Sequence, residues 1–388
     1  MPQEVATPSP SAVWRHASAG WVCLFVGIGM ARFGYSPLIP ELVRQHWFTA
    51  ANADYLAALN LAGYVIGSLL AAQALARQRP GGWVRASLLV AAFSFWACAR
   101  PWGFGWFLVW RVAAGVAAGL LMVLGIPAVL ARTPAPRRGL VGGLVFTGIG
   151  SGVVLAGALV PELVPYGLTL TWLALGGLCL IVAAAVWSYW AEPESISHGG
   201  ARHHEPLRLS RRLVLLMAAY IACAIGYVPH SLFWVDYIAR ELGRGLAAGG
   251  HAYMELGLAA VAGSALTGVV GDWLGVQRCL GWSLLIEAGA VALPLVGTAP
   301  ALLALSSMGV GAMQIGTTAL MSARSGELAA PRHRTQIWGW MTIAFSVAYA
   351  GGGGGFTVLY AHLHSYRPLF AAAAILLAIG SALAALAA

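Results

Sequence analysis

Apolar residues gather along this chain into twelve stretches, each close to the roughly 20 residues that a helix needs to cross a bilayer. They fall at 16–39, 53–76, 82–100, 104–131, 140–164, 168–190, 212–238, 252–271, 279–298, 300–323, 336–361 and 368–387. Short polar connections separate them, and the one long polar stretch, Glu192 to Arg212, lies near the middle. A backbone in hydrocarbon must satisfy its own polar groups, so stretches of this length read as helices. The pattern predicts an all-α membrane protein of about twelve transmembrane helices in two pseudo-symmetric six-helix bundles. The expected divisions are a disordered tail over 1–13, a first bundle over 14–191, a cytoplasmic linker over 192–211 and a second bundle over 212–388. No cleavage site of small residues precedes the first stretch, which is therefore expected to stay as a helix.

Composition removes the soluble alternative. Sixty per cent of residues are hydrophobic and 9% are charged, whereas a soluble globule carries about 25% charged residues to coat its surface. The net charge of +9 comes wholly from arginine. In a soluble chain that charge would suggest nucleic acid; here its placement is topological, and no nucleic-acid partner is expected. Arg15, Arg77, Arg79, Arg85, Arg132, Arg137, Arg138, Arg202, Arg208, Arg211, Arg212, Arg278, Arg324, Arg332 and Arg334 fall on one side of the alternating loops. Only Arg44, Arg100, Arg240, Arg244 and Arg367 fall on the other. Positive residues favour the cytoplasmic side, so both termini are expected inside, in a bacterial inner membrane.

The halves repeat one another. Gly34-Tyr35-Ser36-Pro37 ends the first stretch and Gly226-Tyr227-Val228-Pro229 ends the seventh. Gly67-Ser68 in the second stretch matches Gly263-Ser264 in the eighth, and Gly115 matches Gly311, both at an offset of 196. Two six-helix halves in the same orientation are one of the known transporter designs. Pro37 and Pro229 are equivalent helix breaks, and interrupted segments in corresponding positions point to a binding region.

Ionisable groups deep in a span are costly and mark function by default. Arg32 lies beside the first break and stays protonated, so it needs an anionic partner, a carbonyl cluster or a substrate anion. Arg111 divides evenly between structure and function. His230, after the second break, could carry a proton or be a satisfied core residue. Tyr35, Asn60, Tyr64, Tyr227, Trp234, Gln314 and Trp338 suit a cavity wall, with helix-to-helix contact as the plain rival. Asp54 near a span end is expected to reach water, Asp236 to gate or reach water, and Glu287 to pair structurally. Fixed cations without deep acids in the first half suggest a cavity for a small or amphipathic organic anion.

Several local patterns resemble the major facilitator superfamily. Gly268 to Arg278, with Asp272 and Gly275, is similar to its cytoplasmic loop signature, which implies a latch formed by Asp272, Gly275 and Arg278. The first-half copy has Ala76 where the acid falls. Arg111, Gly115 and Gly119 resemble the fourth-helix pattern, and Gly148, Gly152 and Gly157 partly resemble the antiporter pattern of the fifth, with Val153 in place of a Pro. Gly29-Met30-Ala31-Arg32-Phe33-Gly34-Tyr35-Ser36-Pro37, with Asn60, Gly63, Tyr64 and Gly67, looks like the YbfB/YjiJ branch. The resemblance implies secondary transport of a small molecule by alternating access, with proton coupling and export favoured and a monomer sufficient. The alternative is a non-transporting sensor or assembly factor on the same scaffold. No enzymatic motif is visible, no cofactor is expected, and without lysine no phosphate-binding loop can form. No metal site is expected, because His198, His203 and His204 of the long loop read as solvated and the five cysteines form no close-spaced pair.

Overall fold

Every one of the twelve apolar stretches is a helix. Helix α1 runs Pro10–Leu24, then through a π-helical segment Phe25–Met30 and a 3-10 segment Phe33–Leu38 to Ile39–Arg44. Next come α2 (Ala50–Ala76), α3 (Pro80–Ala97) and α4 (Phe104–Leu120, continued by Leu121–Gly125 and Ile126–Arg132). The half closes with α5 (Arg138–Leu163) and α6 (Leu168–Ala185). Helix α7 runs Arg211–Val228 and continues through Pro229–Phe233 and Trp234–Asp236 to Tyr237–Glu241. The remainder are α8 (Gly245–Leu274), α9 (Val276–Val296), α10 (Pro300–Leu328), α11 (Arg334–Leu363) and α12 (Arg367–Leu386).

The computed structural model describes residues 10–76, 80–133, 138–191, 210–330 and 333–387, and the side chains of all of these except 10–13, 72–76, 80, 131, 138–140, 264–265, 268–269, 272 and 334–336. The histidines of the long loop lie outside the described residues. Ten helices have described stretches long and apolar enough to span a bilayer, and α3 and α8 complete the twelve. Their outward faces are apolar, with Ile181 on α6 and Trp273 on α8 among the most exposed side chains. That surface is stable in lipid and unstable in water.

The packing repeats with the sequence. In the first half α1 packs on α5, α2 on α4, and α3 on α4 and α6; in the second α7 packs on α11, α8 on α10, and α9 on α10 and α12. Glycine permits the closest of these approaches. A Cβ on Gly115 would lie 1.9 Å from the carbonyl oxygen of Asn60, and one on Gly311 would lie 2.1 Å from that of Leu256. One on Gly67 would meet the oxygen of Val116 at 2.1 Å, and one on Gly263 that of Ala312 at 2.2 Å. Each of these contacts maps onto its partner at the offset of 196. The halves meet along two seams that the same symmetry exchanges, α2 with α11 and α5 with α8.

Candidate functional site

The site forms where α1 stops being a regular helix. Between the π-helical and 3-10 segments the chain turns at Ala31–Arg32. The carbonyl of Ala31 accepts a 2.9 Å hydrogen bond from Arg111 Nη2 of α4. Asn60 of α2 in turn donates from Nδ2 to the Arg111 carbonyl at 2.8 Å. The Tyr253 hydroxyl of α8 lies 3.1 Å from the Ser231 carbonyl of its own bundle and 3.3 Å from the Phe33 carbonyl, so its one hydrogen goes to the nearer Ser231 oxygen. The interruption thus sits upstream of Pro37, and Arg111 and Asn60 brace it from within the first bundle. Pro229 has a milder effect: α7 passes through it into π-helical turns without ending.

Arg32 occupies the turn. Its side chain is buried, at 7% exposure, among the rings of Tyr349, Phe33 and Tyr64, whose centroids lie 4.2, 4.9 and 5.3 Å from its guanidinium carbon. Among the described residues Nε has no hydrogen-bond partner and no carboxylate pairs with the group. Cation–π contact with desolvated rings is worth about 2 kcal/mol, which holds the charge in place but leaves Nε without an acceptor. The neighbouring cations differ. Arg111 reaches the Ala31 carbonyl and lies 4.4 Å over the Tyr35 ring. Arg240 makes two 2.5 Å bonds to Asp236.

Other predicted residues divide between this seam and the bundle interiors. Tyr35 donates to the Ala53 carbonyl at 3.2 Å, fixing α1 against α2. Tyr227 packs edge-on to Phe33 across the seam and beside Tyr349. Trp338 stacks on Tyr220, which also packs on Phe345, and Phe345 stacks on Tyr349. This aromatic series leads along α11 from the Arg32 cage towards the α10–α11 connection. His230 and Trp234 lie instead inside the second bundle. His230 Nε2 is 2.8 Å from Ser306 Oγ, which itself donates to the Ala290 carbonyl, so the imidazole carries its proton on Nε2. Trp234 stacks on His230 and donates to Ser307 Oγ at 2.9 Å. Gln314 faces Cys223 between α10 and α7. Both carboxyl oxygens of Glu287 are buried without a partner among the described residues, contrary to the expected structural pairing. In the latch region, Gly275 joins α8 to α9 at φ +82°, which favours glycine. Arg278 is exposed, and the Asp272 side chain lies outside those described.

A second cluster closes the seam at the end where α1 meets α2. Ser36 Oγ donates to the Ser231 carbonyl at 2.8 Å, joining α1 to α7. Asp54 and Asp236 are both fully buried, which corrects the expectation that Asp54 reaches water. The Tyr366 hydroxyl covers them, 2.6 Å from Asp236 Oδ2 and 3.3 Å from Asp54 Oδ2. Sequence position near a span end suggests solvent, but contact with a tyrosine about 300 residues away removes it. Ser231, Tyr253, Tyr349 and Tyr366 carry no local signal for these roles; tyrosines near span ends read as interfacial anchors.

Among the described residues twelve helices form two repeated halves that meet at an interrupted helix beside a buried cation, the architecture of a multi-pass membrane transporter. The chain belongs to the family described as Uncharacterised MFS-type transporter YbfB, whose model matches residues 24–385. No curated protein matches the chain.

Proposed function

We propose that this chain is a proton-coupled secondary transporter that moves a small organic anion by alternating access, with export favoured over import. Arg32 is the anion anchor, and the Tyr64, Tyr227 and Tyr349 rings form the apolar wall beside it. The carrying observation is the contrast among the cations of the seam: Arg111 has a carbonyl acceptor and Arg240 a carboxylate, whereas among the described residues Arg32 has aromatic rings and neither. A cation held in that way costs free energy until an anion arrives. In the proposed topology the protein works as a monomer in a bacterial inner membrane with both termini cytoplasmic, which puts the α1–α2 end outside. The export direction rests on the α5 glycines. Gly152 packs on Gly29 of α1, and Gly157 on Gly250 of α8. Helix α5 therefore touches both the interrupted helix and the opposite bundle.

The test is proton movement in everted vesicles, read with a pH-sensitive dye, across a panel of organic anions, amino acids and lipophilic cations. Anion-evoked flux that Arg32→Ala abolishes supports the reading. Normal anion transport in both Arg32→Ala and Arg32→Lys removes Arg32 as the anchor.

A further inference from the structure

We propose that Asp54 is a proton-binding site, and that the proton it takes up completes a bridge through Tyr366 to Asp236 which holds the α1–α2 end of the two bundles shut. The inference deepens the transporter reading and rests on it for the meaning of closure.

The argument begins with counting hydrogens. Asp236 accepts Nε and Nη2 of Arg240 at 2.5 Å each, so a guanidinium matches its charge. Tyr366 has one hydroxyl hydrogen, and the 2.6 Å separation from Asp236 Oδ2 places it there. The lone pairs of the same hydroxyl then face Asp54 Oδ2 at 3.3 Å. Two oxygens that are both acceptors do not bond. The contact becomes a hydrogen bond when the Asp54 carboxyl carries a hydrogen and donates it to Tyr366. Oδ1 of Asp54 is buried without any partner among the described residues, so no other group compensates a negative charge there.

The surroundings agree. The titratable or charged groups facing Asp54 are Tyr35 of α1, Asp236 and Arg240 of α7, Tyr360 of α11 and Tyr366 before α12. The single cation among them is committed to Asp236. An ionised Asp54 therefore sets two carboxylates against one guanidinium on either side of the Tyr366 hydroxyl. Parting of the bundles admits water between them. The chemistry is a single proton transfer from bulk water to a carboxylate oxygen, reversed on release, with no other bond made or broken.

Tyr366 is well placed to report this event across the seam. Its backbone N–H donates to Glu241 Oε2 at 2.7 Å, and its ring stacks on Tyr360 at 4.1 Å. It is thus fixed to the second bundle, and Asp54 is its contact with the first.

The experiment places spin labels at Ala51→Cys and His362→Cys on the full chain in lipid and measures the interspin distance from acidic to alkaline buffer. The five native cysteines are buried and do not compete for label. The short distance should dominate in acid. The ratio of long to short should rise with pH by up to about tenfold per unit, the limit for one proton. Asp54→Asn keeps a donor towards Tyr366 at every pH and should hold the short distance throughout. Tyr366→Phe removes the bridge and should favour the long distance even in acid. A wild-type distance that does not respond to pH overturns the proposal, as does an Asp54→Asn variant that titrates like wild type. Should Asp54→Asn fail to fold, Tyr366→Phe decides: unchanged short distance in acid sinks the bridge. Anion flux measured on the same preparations separates the two readings. A titrating distance without anion transport sinks the proposed function alone, and transport with a flat distance sinks the proton site alone.

Discussion

Gly115→Ala offers the most direct test of the packing that holds the first bundle. The added Cβ would lie 1.9 Å from the Asn60 carbonyl oxygen and 2.9 Å from the Tyr64 backbone nitrogen. Both neighbours are main chain, so no rotamer change relieves the clash. An ordinary carbon–oxygen contact needs about 3.3 Å, so α2 and α4 must part by more than about 1 Å. That movement strains the Asn60 to Arg111 bond at 2.8 Å and loosens the tight row formed by Gly63, Gly67, Gly115 and Gly119. Overpacking in a tight core costs about 1–3 kcal/mol and sometimes more. Gly289→Ala in α9 is the control, since its Cβ would meet nothing within 4 Å; it should be neutral or gain up to about 1 kcal/mol from helix propensity. Thermal unfolding in detergent compares them. The expected order of midpoints is Gly115→Ala below wild type, and Gly289→Ala at or above it. Gly311→Ala, the equivalent change in the second bundle, should match Gly115→Ala. A Gly115→Ala midpoint equal to that of Gly289→Ala would refute the close approach of α2 and α4.

Arg32→Met should abolish anion transport and lower the unfolding midpoint by no more than the equivalent of the about 2 kcal/mol of cation–π contact that it loses; a larger drop would make Arg32 structural. Arg111→Leu should lower the midpoint by the equivalent of about 1–3 kcal/mol, since it leaves the buried Ala31 carbonyl unpaired; an unchanged midpoint would show that this bond contributes nothing. Glu287→Met removes two buried oxygens that lack partners and should raise the midpoint, and a fall would reveal a partner for the carboxyl. Arg32→Lys keeps the charge but loses the planar fork, so flux should fall less than in Arg32→Met; equal loss in both would show that geometry, not charge, dominates.

The helices were legible because lipid imposes one rule on every span: an apolar length near 20 residues with internally satisfied backbone. The repeat was legible as well, since Gly115 and Gly311 are needed for steric reasons that leave no substitute. Arg32 stood out because a permanent charge in a span has few explanations. The pairing of acceptors was less visible. Nothing near Arg111 in sequence shows that it serves Ala31, and nothing near Tyr253 shows that it serves Ser231. The burial of Asp54 is not legible in sequence, because burial at a span end depends on what the other bundle places over it. His230 reads in sequence either as a proton carrier or as a satisfied core residue; α7 turns it inward to Ser306, and the π-helical register that does so leaves little trace in composition.

Two carbonyls near the seam are served differently. That of Ala31 is held by Arg111 of its own bundle, whereas that of Ser231 receives Ser36 from the first bundle and Tyr253 from the second. Any separation of the halves keeps the Arg111 and Tyr253 bonds and removes that of Ser36. The Ser36 hydroxyl is then a donor without its acceptor, four residues from Arg32, and water takes the vacated place as the seam opens. Hydration close to the binding position is in this way a mechanical result of helix separation, set by which bundle supplies each donor.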